Sequence, residues 1–289
     1  MDKYQILTSY FGYRNFREGQ EEIIEKLVSG QDVLAIMPTG AGKSLCYQVP
    51  ALMMDGITIV VSPLISLMMD QVKALNEIGV HAAFINSALT EGQIAKALSY
   101  AKEGRYKLIY VAPERLESEG FMDFAVNTPI SMVTVDEAHC ISQWGQDFRP
   151  SYQRIVTFIQ ALPKRPIVAA FTATATKRVK EDILCVLGLV NPYVMVKGFD
   201  RANLYFEVQR TKKKTGRVRE YIKAHEDESG IVYCATRRNV DELYTILNED
   251  GISVTRYHAG LSSQERKQNQ EDFVFDRTKI MIATNAFGM

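Results

Sequence analysis

Met37-Pro38-Thr39-Gly40-Ala41-Gly42-Lys43-Ser44 joins an apolar run to the start of a helix. On its amino side, Asp32–Met37 reads as a strand buried on both faces, because Val, Leu, Ala and Ile follow one another without polar alternation. On its carboxyl side, Lys43–Gln48 opens a helix, whose N-terminus favours an anion. Between them, Thr39, Gly40, Ala41 and Gly42 are small enough for their backbone N–H groups to approach phosphate oxygens closely. Further along, Val133-Thr134-Val135-Asp136-Glu137-Ala138-His139-Cys140 ends a second apolar strand in two adjacent acids. The two stretches are the two halves of a nucleoside-triphosphate site, in which Lys43 holds phosphates while Ser44 and Asp136 hold Mg²⁺. Strict agreement with the Gly-x-x-x-x-Gly-Lys-Ser/Thr pattern would need Gly at position 37, where this chain has Met37. Gly40 and Gly42 still supply the turn. On an extended backbone Asp136 and Glu137 would point in opposite directions, which suits a metal ligand and a general base for an attacking water.

Bulk properties leave a broad class. With 289 residues the chain holds one large or two ordinary domains. The formal net charge of zero argues against a generally basic nucleic-acid binder, but not against a locally basic groove. No apolar run reaches membrane-spanning length, and Met1–Gln5 lacks a basic-then-apolar leader pattern. Cys46, Cys140, Cys185 and Cys234 form no C-x-x-C pair and fit reduced core thiols. A cytoplasmic protein without membrane partners is expected, nucleoid-associated if bacterial.

Strand-like runs at Asp32–Met37, Ile57–Ser62, Ala82–Ile85, Lys107–Val111, Ser131–Asp136 and Pro166–Phe171 alternate with helical patterns. The helices fall near Gln20–Ser29, Ile65–Ile78, Glu91–Glu103, Tyr152–Ala161 and Lys177–Leu187. Such alternation predicts an α/β fold with a mostly parallel sheet flanked by helices. A second, shorter series follows at Leu204–Gln209, Ile231–Cys234, Ser253–Tyr257 and Lys279–Ala283. The boundary is placed near Gly198–Arg201, giving lobes at 1–199 and 200–289. The second lobe is expected to be incomplete, because the chain reaches Ala286-Phe287-Gly288-Met289 directly after a strand.

With its surrounding motifs the chain resembles the RecQ-type DNA helicases of superfamily 2 along its whole length. Phe11–Gln20 matches that family's nucleotide-base motif, and Ser62–Gln71 and Ala112–Leu116 match its strand-contacting motifs. Asp136–Pro150 carries the most specific likeness, joining the acidic pair to an aromatic-rich loop. Phe171–Ala175 resembles the coupling motif, and Tyr257–Leu261 and Ala283–Met289 resemble second-lobe motifs. Ala41 stands where many relatives have Gly, and Ala202 where many have Pro. The resemblance implies two RecA-like lobes of P-loop type that sandwich ATP and Mg²⁺. It implies 3′ to 5′ translocation on single-stranded DNA, duplex unwinding, and a role in DNA repair and recombination. It also implies an arginine-bearing motif, zinc-binding, winged-helix and HRDC regions beyond this stretch. Through such regions a single-stranded-DNA-binding protein would be a further partner.

Each motif carries chemistry of its own. The Gln20 amide offers one donor and one acceptor side to adenine, and Tyr13 and Arg17 offer planar groups to sandwich the purine. Trp144 is the only Trp. A lone Trp is more often core, but Gln143, Gly145, Gln146 and Asp147 around it are polar, which favours an exposed base-stacking residue. Phe148 and Arg149 extend that loop. The resemblance assigns strand contact or coupling to Ser62, Pro63, Gln143, Trp144, Phe148, Arg149, Thr172, Thr174 and His258. It places His139 with Lys43, Asp136 and Glu137 in the catalytic group, linking the nucleotide site to the second lobe. Arg210, Lys212, Lys213, Lys214, Arg217 and Arg219 read as a solvated helix face. Two rival readings stand beside a helicase motor: a nucleotide- and single-strand-binding piece without turnover, and a translocating ATPase that does not separate strands.

Overall fold

The computed structural model describes residues 1–145, 147–198 and 204–287, and it divides into two compact units, Met1–Arg201 and Ala202–Met289. The sequence-placed boundary at 199 and 200 lies outside the described residues, as do Gln146, Ala202, Gly288 and Met289.

The first unit opens with α1 (Lys3–Phe11) and α2 (Gln20–Val28), then β1 (Val33–Ile36), α3 (Lys43–Met53), β2 (Ile57–Val61) and α4 (Ile65–Glu77). Next come β3 (Ala82–Ile85), α5 (Glu91–Lys102), β4 (Leu108–Val111), α6 (Glu119–Val126) and β5 (Ile130–Val135). It closes with α7 (Arg154–Ala161), β6 (Ile167–Thr172), α8 (Lys177–Val186) and β7 (Tyr193–Val196). The strands form one parallel sheet in the order β3-β4-β2-β5-β6-β1-β7. Successive side chains leave a strand on opposite faces, so each strand feeds two cores. Leu34 and Ile36 join Phe121, Phe158 and Ile183 on one face. Val33, Ala35 and Met37 join Ile23, Tyr47 and Met68 on the other. Burial on both faces is why β1, β2 and β4 read as unbroken apolar runs.

Pairing in register brings the strand ends level. Ile36 lies beside Thr172, Val135 beside Ala170, and Val61 beside Val135. The phosphate loop after β1, Thr172 at the end of β6, Asp136 after β5 and Ser62 after β2 therefore share the carboxyl edge of four adjacent strands. Crevices outside that edge are where open α/β sheets place ligands.

The second unit contains α9 (Lys214–Ala224), β8 (Gly230–Tyr233), α10 (Arg237–Glu249), β9 (Val254–Tyr257), α11 (Ser263–Val274) and β10 (Ile280–Ala283). Its described strands pair in parallel in the order β8-β10-β9 over a small core of Val240, Leu247 and Ile282. Two parallel-sheet units of this build are RecA-like lobes.

The predicted strand at Leu204–Gln209 is absent, since residues 204–210 have no regular structure. Tyr205, Phe206 and Val208 are 86%, 86% and 90% exposed. The run has strand-forming residues but pairs with no described strand, and β-propensity expresses itself only against a pleated neighbour. Conversely, β7, α1 and α6 went unpredicted. β7 is a partly exposed edge strand without a clean apolar period.

Candidate functional site

Gly40 and Gly42 both take left-handed backbone, at φ +82° and +81°. A Cβ at Gly42 would also lie 2.3 Å from Gln20 Nε2, so two constraints fix glycine there. Lys43 starts α3 and donates from Nζ to the Met37 carbonyl at 3.2 Å. That contact draws the ammonium over the loop, where a phosphate would meet it. Thr39, Gly40, Gly42, Lys43 and Ser44 line one side of a cleft of about 500 Å³, and Ala41 completes the loop.

The base-motif residues line the same cleft. Tyr13 is 53% exposed, and Arg17 donates from Nη1 to the Gly40 carbonyl. Gln20 begins α2 and is 1% exposed. Its Oε1 accepts from Arg17 N–H at 2.8 Å, and its Nε2 donates to the carbonyls of Ala41 (3.2 Å) and Gly42 (3.0 Å). The amide is thus engaged with protein on both sides, and a base would have to exchange with these partners. Lys197, which the sequence reading passed over, donates from Nζ to the Glu18 carbonyl just ahead of that turn. No local pattern marks it, because it follows β7, 179 residues beyond Glu18.

Opposite the loop lie the acids. Asp136 N–H donates to Val61 O at 2.9 Å, and Tyr152, another unpredicted member, donates from its hydroxyl to Asp136 O at 2.9 Å. Burial, then the charge of Glu137, push the Asp136 carboxyl up to about 6. The backbone is not extended through the pair. β5 ends at Val135, and Glu137 turns into left-handed space at φ 47°, ψ 47°, starting a short 3₁₀ turn over residues 138–141. Glu137 O accepts from Cys140 N–H at 2.9 Å, so the reversal is held by the turn. Strain of order 1–3 kcal/mol in a non-glycine residue is characteristic of functional positions. Burial acts to raise the Glu137 carboxyl, but the hydrogen bond and charge of His139, with Lys43, outweigh it and hold it below its ordinary value.

His139 Nδ1 lies 2.9 Å from Thr172 Oγ1 and 3.2 Å from Glu137 Oε2. Thr172 donates its only hydroxyl hydrogen to Thr174 O at 3.1 Å. His139 Nδ1 therefore carries a proton and donates it. Contact of Nε2 with Cys140 Sγ, then the Glu137 carboxylate, raise the imidazole above its usual value.

The loop beyond the acids packs on neighbouring elements. Arg149 pairs with Asp147 and donates from Nη1 to Pro63 O at 2.9 Å, tying the aromatic loop to the stretch after β2. A Cβ at Gly145 would meet His139 O at 2.5 Å. Gln143 is exposed, Phe148 half-buried, and Trp144 58% exposed. Ser62 is buried, with Oγ lacking a partner among the described residues. His258 belongs to the second unit, where its ring is buried between Asp241 Oδ1 (3.1 Å) and Gly260 N–H (3.1 Å). The basic run is partly neutralised: Arg217 pairs with Glu220, and Arg219 with Asp250.

Ser44 and Asp136 are hard oxygen donors, the kind Mg²⁺ accepts, and the described residues contain no cluster of three or more metal-ligating side chains. Lys43 and His139 lower the Asp136 carboxyl, but burial and Glu137 outweigh them. The Ser44 and Asp136 oxygens could hold Mg²⁺ only together with other donors such as phosphate oxygens and water.

Residues 17–183 match the DEAD/DEAH box helicase family, and residues 213–289 match the helicase conserved C-terminal domain. The ATP-dependent DNA helicase RecQ of Bacillus subtilis (strain 168) is 47% identical over 98% of this chain and 48% of its own length. The RecQ of Haemophilus influenzae is 42% identical over 98% of this chain and 46% of its own length. The chain thus spans about half the length of these curated relatives. Among solved structures, the DUF1998 helicase MrfA bound to DNA superposes with a TM-score of 0.76 at 17% identity, over 99% of this chain and 44% of the other. Dbp5 of S. cerevisiae bound to RNA and ADP BeF3 gives 0.71 at 19% identity, over 99% and 74%. No helix among the described residues is long and apolar enough to cross a membrane.

Proposed function

The chain belongs to the DEAD/DEAH box helicase family, within its RecQ-type members, and from that premise we propose that it is the motor of an ATP-dependent DNA helicase. It couples ATP hydrolysis to 3′ to 5′ translocation on single-stranded DNA and to duplex unwinding, and it serves DNA repair and recombination in the cytoplasm. A single-stranded-DNA-binding protein is a partner of the whole protein. The observation that carries this reading is the continuity from Glu137 through His139 to Trp144. One short stretch lines the phosphate cleft at one end and presents an exposed indole at the other.

Within this reading, Lys43 and the N–H groups of residues 39–44 hold the triphosphate, and Tyr13, Arg17 and Gln20 hold its base. Ser44 and Asp136 would hold Mg²⁺, which when bound neutralises charge developing on the phosphoryl oxygens. Glu137, kept ionised by His139, orients the attacking water and takes its proton. His139 also bonds Thr172, so a shift of the acids is felt at the Thr172–Thr174 turn. Ser62, Pro63, Gln143, Trp144, Phe148, Arg149 and Thr174 contact the strand or relay its presence, with His258 acting from the second unit.

Measuring phosphate release with and without single-stranded DNA, followed by duplex unwinding, tests the proposal. Stimulation by DNA together with strand separation is the expected result. Stimulation without separation would leave a translocating ATPase, and nucleotide binding without DNA-dependent turnover would remove the motor.

A further inference from the structure

Besides its tie to Pro63 through Arg149, the aromatic loop is held by the segment running from Thr172 into α8. His139 bonds Thr172, Ser142 Oγ donates to Asp182 Oδ2 at 2.6 Å, and the Arg178 guanidinium carbon lies 3.3 Å from the centroid of the Trp144 ring. Thr176 caps α8 by accepting from Val179 N–H, which places Arg178 in the first helical turn. A cation there opposes the helix dipole, and Lys177 and Lys180 beside it add to the cost. Arg178 is exposed and makes no ion pair or hydrogen bond with another described residue. Neither helix stability nor a carboxylate partner explains it; its contact with the indole does.

Because the guanidinium covers one indole face while Trp144 remains 58% exposed, the opposite face is open. We infer that Arg178 is a positioning residue that fixes the Trp144 indole for capture of a single-stranded nucleobase on its free face. The result is a base, indole and guanidinium stack in which the charge also faces the strand's phosphates. Asp182 fixes the loop through Ser142, so the indole is oriented before the strand arrives, and less side-chain freedom is lost on binding. This inference rests on reading the loop as a strand-contacting element.

The test uses the chain itself with a fluorescein-labelled oligothymidylate, and also reads the emission of Trp144, the only tryptophan. Arg178→Ala should weaken oligonucleotide binding about two- to fivefold, the size of an exposed cation–π contact. Its DNA-free tryptophan emission should shift to the red as the covered face meets water. Arg178→Lys keeps the charge but loses the planar stack, so it should restore less than half of the lost affinity. Unchanged or tighter binding by Arg178→Ala, or full restoration by Arg178→Lys, would overturn the inference while leaving the loop's strand contact intact. Failure of the unsubstituted chain to bind the oligonucleotide would overturn both.

Discussion

Asp32, buried, and Asp136, half-buried on the cleft, are aspartates at opposite edges of the same parallel sheet, and their surroundings differ in kind. Asp32, before β1, accepts from Arg165 Nη1 (3.1 Å) and Nη2 (2.6 Å) and from the N–H groups of Val168 (2.9 Å) and Val190 (2.8 Å). Both its oxygens are satisfied, and the amino ends of β1 and β6 are clipped together. Asp136, after β5, receives one described hydrogen bond on its carboxylate, from Glu137 N–H at 3.0 Å, and burial lifts it to about 6. Asp32 completes its polar bonds within the protein; Asp136 leaves capacity for a ligand. A buried acid thus identifies a site only when its partners are counted.

Substitutions at the two edges should separate chemistry from stability. The largest effect belongs to Glu137→Gln, which keeps the shape but removes the base. Phosphate release should fall about 10²- to 10⁴-fold, while binding of a non-hydrolysable ATP analogue stays within twofold of the parent. Loss of analogue binding alongside turnover would make Glu137 a binding residue instead. Asp32→Ala should do the reverse, lowering unfolding stability by about 3 kcal/mol because a buried charge partner is lost. Analogue affinity, measured well below the transition temperature, should hold. Nucleotide affinity falling in step with stability would erase the distinction between the edges.

Lys43→Ala comes next. It removes a charge-assisted contact of roughly 1.5–3 kcal/mol, so calorimetric titration with the analogue should show at least about tenfold weaker binding. Unchanged affinity would disqualify the loop. Then comes pH. A carboxyl whose pKa rises on folding takes up a proton on folding between its ordinary value and about 6. Metal-free stability therefore falls as pH rises through that window. Mg²⁺ needs the ionised form, so its apparent affinity in the presence of analogue should rise about tenfold from pH 5 to pH 7 and then level off. Asp136→Asn should flatten this profile. A profile unaltered by that substitution would assign the titration elsewhere.

The site was legible where chemistry is local in sequence. A glycine turn before a helix and acids after an apolar run state their own backbone context, so residues 39–44 and Asp136 could be read directly. The left-handed turn at Glu137 was not, because nothing in Asp136-Glu137 demands it; the 3₁₀ turn behind it does. Arg178 and Lys197 escaped because their partners lie 34 residues away at Trp144 and 179 away at Glu18. The fold was legible in the first unit, where two-faced burial leaves unbroken apolar runs. Leu204–Gln209 failed in the second because composition signals strand capacity without naming a neighbour.

The smallest expected effect concerns Gln20. A free amide pairing with adenine would favour that base strongly, since a good bidentate contact is worth about 1–3 kcal/mol. Here the amide already holds Arg17 N–H and the carbonyls of Ala41 and Gly42. Recognition is therefore an exchange of hydrogen bonds, and such exchanges net only about 0.5–1.5 kcal/mol. The ATP analogue should bind only about two- to tenfold more tightly than its guanine counterpart, whose O6 accepts where adenine N6 donates. Gln20→Ala should remove the preference and also loosen the phosphate loop, lowering affinity for both analogues. An intact preference in that variant would move base reading to Tyr13 and Arg17. A loss of preference with no common weakening would show that the bonds from Gln20 to Ala41 and Gly42 do not support the loop.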